Sequence, residues 1–116
     1  MNKFKKLATI VALSLSCFGC AVNQGLYEWG SYQGQVYSFL KGEPPEQQVV
    51  ILEKQLADTK AAGKRPPPGF YAHLGLLYSK IGRDGEVAAM FDMERAAFPE
   101  SNTFLQNVVN GFRGLK

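Results

Sequence analysis

Few residues of this 116-residue chain could do chemistry. Its only thiols are Cys17 and Cys20, spaced so that both could share a helix turn as a redox or metal pair. Such a pair needs a strand–helix scaffold and a retained N-terminus, and the flanking sequence suggests neither. His73 is the only histidine, and no Gly-x-Ser-x-Gly elbow, Gly-x-Gly-x-x-Gly loop or His-Glu-x-x-His pair accompanies it. Asp92 and Glu94 lie two apart in a helical pattern, so they point to different faces and form no carboxylate pair within that element. A site gathered from separate helices would need a base, an orienting partner and a pocket, and nothing in the sequence assembles them. The expectation is no enzyme, no catalytic residue, no metal and no cofactor.

The cysteines make better sense as part of an export segment. Lys3, Lys5 and Lys6 precede an apolar run from Leu7 to Leu15, and small residues follow before Cys20, the layout of a secretory signal peptide. The run falls short of the roughly 20 residues a permanent spanning helix needs, so residues 1–19 are expected to be removed. Cys17-Phe18-Gly19-Cys20-Ala21 resembles the lipobox of bacterial lipoproteins, in which a cysteine after a small residue is diacylated and becomes the new N-terminus. That resemblance implies lipidation at Cys20. Cys17 stands where the motif usually has leucine or another aliphatic residue, and Ser14-Leu15-Ser16-Cys17 is the alternative site. A secreted protein with an incidental cysteine is the competing reading, and Gly19 argues against it. Ala21 is not the aspartate that retains lipoproteins in the inner membrane. The resemblance therefore implies the outer membrane of a Gram-negative bacterium, with the periplasmic face the expected side and the cell surface the alternative. Acyl chains anchor there without spanning, each buried methylene contributing about 0.8 kcal/mol.

Loss of Lys3, Lys5 and Lys6 from thirteen basic residues leaves ten against ten acidic ones. A neutral chain lacks the clustered Lys and Arg that phosphate backbones require, so no nucleic-acid partner is expected. Lys64 with Arg65 is a pair, not a patch. With Cys17 removed and Cys20 modified, no disulfide can staple the fold, and helix packing must hold it. Residues 20–25 read as a lipidated tether and 26–116 as one small domain, which buries roughly two-thirds of its unfolded surface.

Leu26 to Tyr32 concentrates Leu26, Tyr27, Trp29 and Tyr32 in seven positions. Trp29 and Tyr32 read first as core, because aromatics bury large areas, and in the sharper reading as a contact surface for a partner. Gln33 to Leu40 places Val36, Tyr37, Phe39 and Leu40 close together on a helix. Pro45 suits the first turn of a second helix, running to about Ala62, with Val49, Ile51, Leu52 and Leu56 buried and Glu46, Glu53, Lys54, Asp58 and Lys60 wet. Gly63 stops it. Lys64-Arg65-Pro66-Pro67-Pro68-Gly69 is extended, either a stiff spacer or a short polyproline ligand for an aromatic groove.

From Phe70 the apolar period is helical, with Phe70, Tyr71, Leu74, Leu77, Tyr78 and Ile81 on one face. Gly82 ends that helix, Asp84 is placed to cap the next, and Val87, Met90, Phe91 and Glu94 continue to Phe98 and Pro99. Ser101 is placed to cap a last helix bearing Phe104, Leu105, Val108, Val109 and Phe112, which frays near Gly111 and Gly114. Tyr71, Leu74, Gly75, Tyr78, Gly82, Phe91 and Pro99 fall at the spacing of one tetratricopeptide repeat, with Val87 and Glu94 standing where the repeat has small residues. The expected fold is all-α, a short tetratricopeptide-like stack of four to five helices whose last helix caps the end.

The opening Tyr27-x-Trp29-Gly30-x-Tyr32, the middle helix, the proline step, Ala72-His73-Leu74-Gly75-x-Leu77-Tyr78 and Phe98-Pro99-Glu100-Ser101 together resemble a family of small bacterial lipoproteins known as a domain of unknown function. The overlap runs from about residue 26 to 109. Members are similar to tetratricopeptide folds and tend to be encoded beside other lipoproteins, including one that looks like the curli-export channel protein or an activator of peptidoglycan synthases. The resemblance implies an envelope protein such as a neighbouring lipoprotein as partner, or a structural subunit that assembles with itself or with that neighbour, in a setting of envelope assembly, export or the regulation of peptidoglycan synthesis. Mapping the concave face of tetratricopeptide folds onto the chain gives Ala72, His73, Leu76, Ser79 and Lys80 as contact candidates, beside Trp29 and Tyr32. Ordinary half-exposed helix positions are the competing reading for Ala72 and Ser79.

Overall fold

Glycines past the ends of the apolar runs set the helix boundaries. The computed structural model describes residues 2–6, which are helical, and 25–114. Cys17, Cys20 and the apolar run from Leu7 to Leu15, expected to form an export segment, lie outside the described residues. From residue 25 onward the chain forms α1 (Tyr32–Leu40), α2 (Pro45–Ala61), α3 (Phe70–Lys80), α4 (Asp84–Ala97), a 3-10 turn (Pro99–Ser101) and α5 (Asn102–Gly114). No strand occurs among the described residues. α1 packs on α2, α2 on α3, α3 on α4, and α5 touches α4, so the fold is the all-α short stack expected. The tetratricopeptide-spaced stretch is the α3–α4 hairpin.

The end of α2 illustrates the glycine stop. Gly63 adopts φ 67°, which only a residue without Cβ takes at little cost. Its N–H donates to the Lys60 carbonyl while the Lys64 N–H donates to that of Thr59, both at 3.0 Å, the paired bonds of a Schellman ending. Two expected caps are corrected. Asp84 is the first residue of α4 and makes no side-chain cap bond; it contributes only its charge near the positive helix end. Ser101 closes the 3-10 turn that Pro99 begins, and its hydroxyl donates back to the Phe98 carbonyl at 2.7 Å, a local bond that competes with capping.

α3 is central to the core. Phe70, Tyr71, Leu74, Leu77 and Tyr78 pack against Val49 and Leu52 of α2, and Phe91, Phe98 and Leu105 are buried on the other side of the stack. Ile51, expected inside, is 41% exposed. Its place is taken by polar residues, since α2 buries Gln48, Gln55 and Thr59 beside Val49 and Leu52, a stripe at the same helical spacing. Gln48 donates to the Glu43 carbonyl at 2.9 Å. Glu53, expected to stay wet, accepts from the Tyr78 hydroxyl and from Arg83, both at 2.7 Å. Arg83 also pairs with Glu86 and lies over the Tyr78 ring. Burial, then the bond to Glu53, pushes the Tyr78 hydroxyl up to about 12. The proline spacer is packed rather than presented: Pro66 and Pro67 are buried.

Gln55 ties the segment before α1 to the stack. Its side-chain oxygen accepts from the Ser31 N–H at 3.0 Å and the Ser31 hydroxyl at 2.8 Å. Its amide donates to the Trp29 carbonyl at 2.9 Å. Gln55→Leu strands these partners and should lower stability by about 2 kcal/mol, measured by urea unfolding. A loss below about 0.5 kcal/mol would mean that Gln55 does not hold the segment.

Candidate functional site

Four helices meet around a cavity of about 230 Å³ lined by Tyr32 and Val36, by Ala72, His73 and Leu76 after Gly69, by Phe91, and by Phe104, Leu105 and Val108. The α3 positions converge because residues three and four apart share a helix face. Tyr32 reaches the site from the first turn of α1, its ring 5.6 Å from that of Phe70 and 6.0 Å from that of His73. This approach needs a glycine at position 69: a Cβ there would lie 2.7 Å from the Tyr32 hydroxyl oxygen, and the backbone sits at φ 90°.

A glycine in that place cannot cap α3 with a side chain, and Glu94 does so from the neighbouring helix. Its carboxylate, 2% exposed, accepts from the Gly69 N–H at 2.7 Å and the Ala72 N–H at 3.3 Å. A negative charge is favoured at this helix end. The residue that departs from the tetratricopeptide pattern is thus a cap supplied across the hairpin. Tyr32 and Tyr71 are both raised above the usual phenol range, first by burial and then by the Glu94 charge.

His73 faces carbon. Its ring stands edge-on to Tyr32 and, at 5.4 Å, to Phe39, and its Nε2 is buried without a hydrogen-bond partner. Burial lowers its pKa below the ordinary histidine value. The unfolded chain therefore takes up a proton near pH 6.5 that the folded chain resists. Stability is fully present above about pH 6.5 and declines as pH falls toward the lower folded value. His73 is half-buried, which keeps the decline under the one-proton limit of about 1.4 kcal/mol per pH unit. His73→Phe should flatten this dependence in urea titrations between about pH 7.5 and about pH 5.5, and an unchanged slope would assign it to other groups.

Tyr32, Ala72, His73 and Leu76 are thus brought together, while three other candidates lie elsewhere. Trp29 stacks on Tyr32 with ring centroids 6.2 Å apart and is 43% exposed, so it is not core. Ser79 donates to the Leu76 carbonyl and lines a separate cavity of about 270 Å³ with Asp84, Val87, Phe91, Val109 and Arg113. Lys80 is exposed and lines neither. The Phe104, Leu105 and Val108 wall was legible only as a buried helix face, because the sequence does not show where the last helix lands. A larger hollow of about 500 Å³ lies between residues 28–31 and α2. Its polar groups are mostly paired within the chain, Lys54 with Asp58 and Gln55 with Ser31, so the smaller apolar groove is the better candidate.

Among the described residues no group of three or more His, Cys, Asp or Glu is placed to hold a metal ion, and no helix is long and apolar enough to cross a membrane. No curated protein and no solved structure matches the chain. Residues 26–108, which include every helix wall of the groove, match the family described as Domain of unknown function (DUF4810), and the chain belongs to that family.

Proposed function

We propose that this chain is a non-catalytic adaptor of the cell envelope, held on the periplasmic face of an outer membrane by acyl chains on Cys20, and that it seats a protein partner in the groove of Tyr32, Ala72, His73 and Leu76. The observation that carries this reading is the groove itself. Its walls are mostly apolar side chains from α1, α3, α4 and α5, joined by the Tyr32 and His73 rings, a surface suited to an apolar anchor of a partner protein. The imidazole at its edge packs between the Tyr32 and Phe39 rings, and its buried Nε2 has no hydrogen-bond partner, so at that atom it lacks the bonded partner of a reacting pair. A photo-crosslinking residue at Leu76 should trap a partner in cells, and the same residue at exposed Lys80 should not; equal trapping at both would place contact elsewhere. Labelled palmitate should enter the wild type but not Cys20→Ser.

A second reading, a structural subunit of an export or surface assembly, draws on the outward apolar residues Tyr37, Leu40 and Val50, which are 63%, 75% and 66% exposed. Sedimentation of the mature protein without its acyl group separates the two: a monomer fits the adaptor and a defined oligomer fits the subunit.

A further inference from the structure

Two large apolar side chains stand uncovered beside the tether. Leu26 is 70% exposed and Trp29 is 43% exposed. The six residues from Cys20 to Leu26 span at most about 20 Å, less than the width of a domain of about 90 residues, which is about 30 Å across. A chain anchored at Cys20 therefore turns this edge, and not its far side, toward the bilayer. The charge at the edge suits that placement. Glu28, between the two apolar residues, is neutralised by Lys64 at 2.7 Å, and its N–H donates to the Arg65 carbonyl at 2.8 Å. Arg65 donates to the Ala97 carbonyl at 3.3 Å and lies beside the Phe98 ring, so the carboxylate between the two apolar residues is paired and leaves no bare negative charge there to repel anionic headgroups. Indole rings favour the headgroup level, where one end is apolar and the other wet.

We infer that the Leu26–Trp29 edge rests on the lipid surface and fixes the orientation of the stack there. This inference depends on the acyl anchor proposed for Cys20. Trp29 packs on Tyr32, a wall of the groove, so this wall of the groove lies next to the lipid-facing edge.

Trp29 is the only tryptophan, which makes its fluorescence a report on one position. The acylated mature protein, reconstituted into phosphatidylethanolamine–phosphatidylglycerol vesicles, is compared with Cys20→Ser in buffer. Reconstitution should shift the emission to the blue, shield it from acrylamide and expose it to quenching by lipids brominated on their acyl chains. Leu26→Asp, at an exposed position, should reverse the shift while the acyl mass and helical circular dichroism persist. Acylated protein whose emission stays unshifted and unquenched by brominated lipid overturns the lipid contact alone. A mature chain purified without acyl mass overturns the anchor, and the contact with it.

Discussion

Glu94→Ala should lower the unfolding free energy by about 3 kcal/mol, one of the two largest losses expected of any single substitution here. The first turn of an α-helix has N–H groups without partners inside the helix. In α3 the usual remedy is closed off, because Gly69 has no side chain and is kept glycine by the Tyr32 hydroxyl pressed against it. The Phe70 N–H finds the Pro67 carbonyl at 3.2 Å, and Glu94 takes the Gly69 and Ala72 N–H groups. Removing the carboxylate leaves those part-buried donors without a protein partner, removes a charge from the favoured end of the helix dipole, and opens a void between α3 and α4. Glu94→Gln keeps one acceptor oxygen but turns an amide N–H₂ toward a donor, so about half the loss is expected. Urea unfolding of the three proteins checks the order. A loss under about 0.5 kcal/mol for the alanine variant would show that solvent, not Glu94, satisfies the helix end.

The cap explains what in this fold could be read from sequence. Apolar spacing and glycine stops act within a few residues, and the α3–α4 hairpin and the ends of α2 and α3 were legible from them. Polar burial acts at long range. Gln55 is buried because its partners lie at Glu28, Trp29 and Ser31, some 25 residues earlier, and a stripe drawn from apolar residues alone chose Ile51 instead. The expected caps Asp84 and Ser101 failed in the same way. Each fits a local rule, whereas the cap at the start of α3 arrives across the hairpin. A carboxylate four residues before buried Phe98, at a position where the repeat has a small side chain, was the available signal. The groove was legible along one helix, where Ala72, His73 and Leu76 share a face. It was not legible across helices, because the landing of α5 on α4 depends on the 3-10 turn at Pro99–Ser101.

The second large effect lies where the hairpin is tightest. A Cβ at Gly75 would come within 3.0 Å of the Phe91 ring and 3.1 Å of the Met90 Cβ. The ring can tilt by a few tenths of an ångström, but the Met90 Cβ moves only with the α4 backbone. Gly75→Ala should therefore lower stability by about 1 kcal/mol despite the better helix propensity of alanine. Gly75→Leu adds three more carbons to the same gap and should cost about 3 kcal/mol, enough to open the hairpin in a domain of marginal stability. Gly85 supplies the contrast, since nothing lies within 4 Å of a Cβ built there. Gly85→Ala in α4 should raise stability by up to about 0.5 kcal/mol. Thermal and urea unfolding of the series tests the contact, and the alanine variant remains readable even if the leucine variant does not fold. If Gly75→Ala gained stability as Gly85→Ala does, the two helices would be farther apart than Phe91 and Met90 place them, and the floor of the groove that Phe91 forms would have to be redrawn.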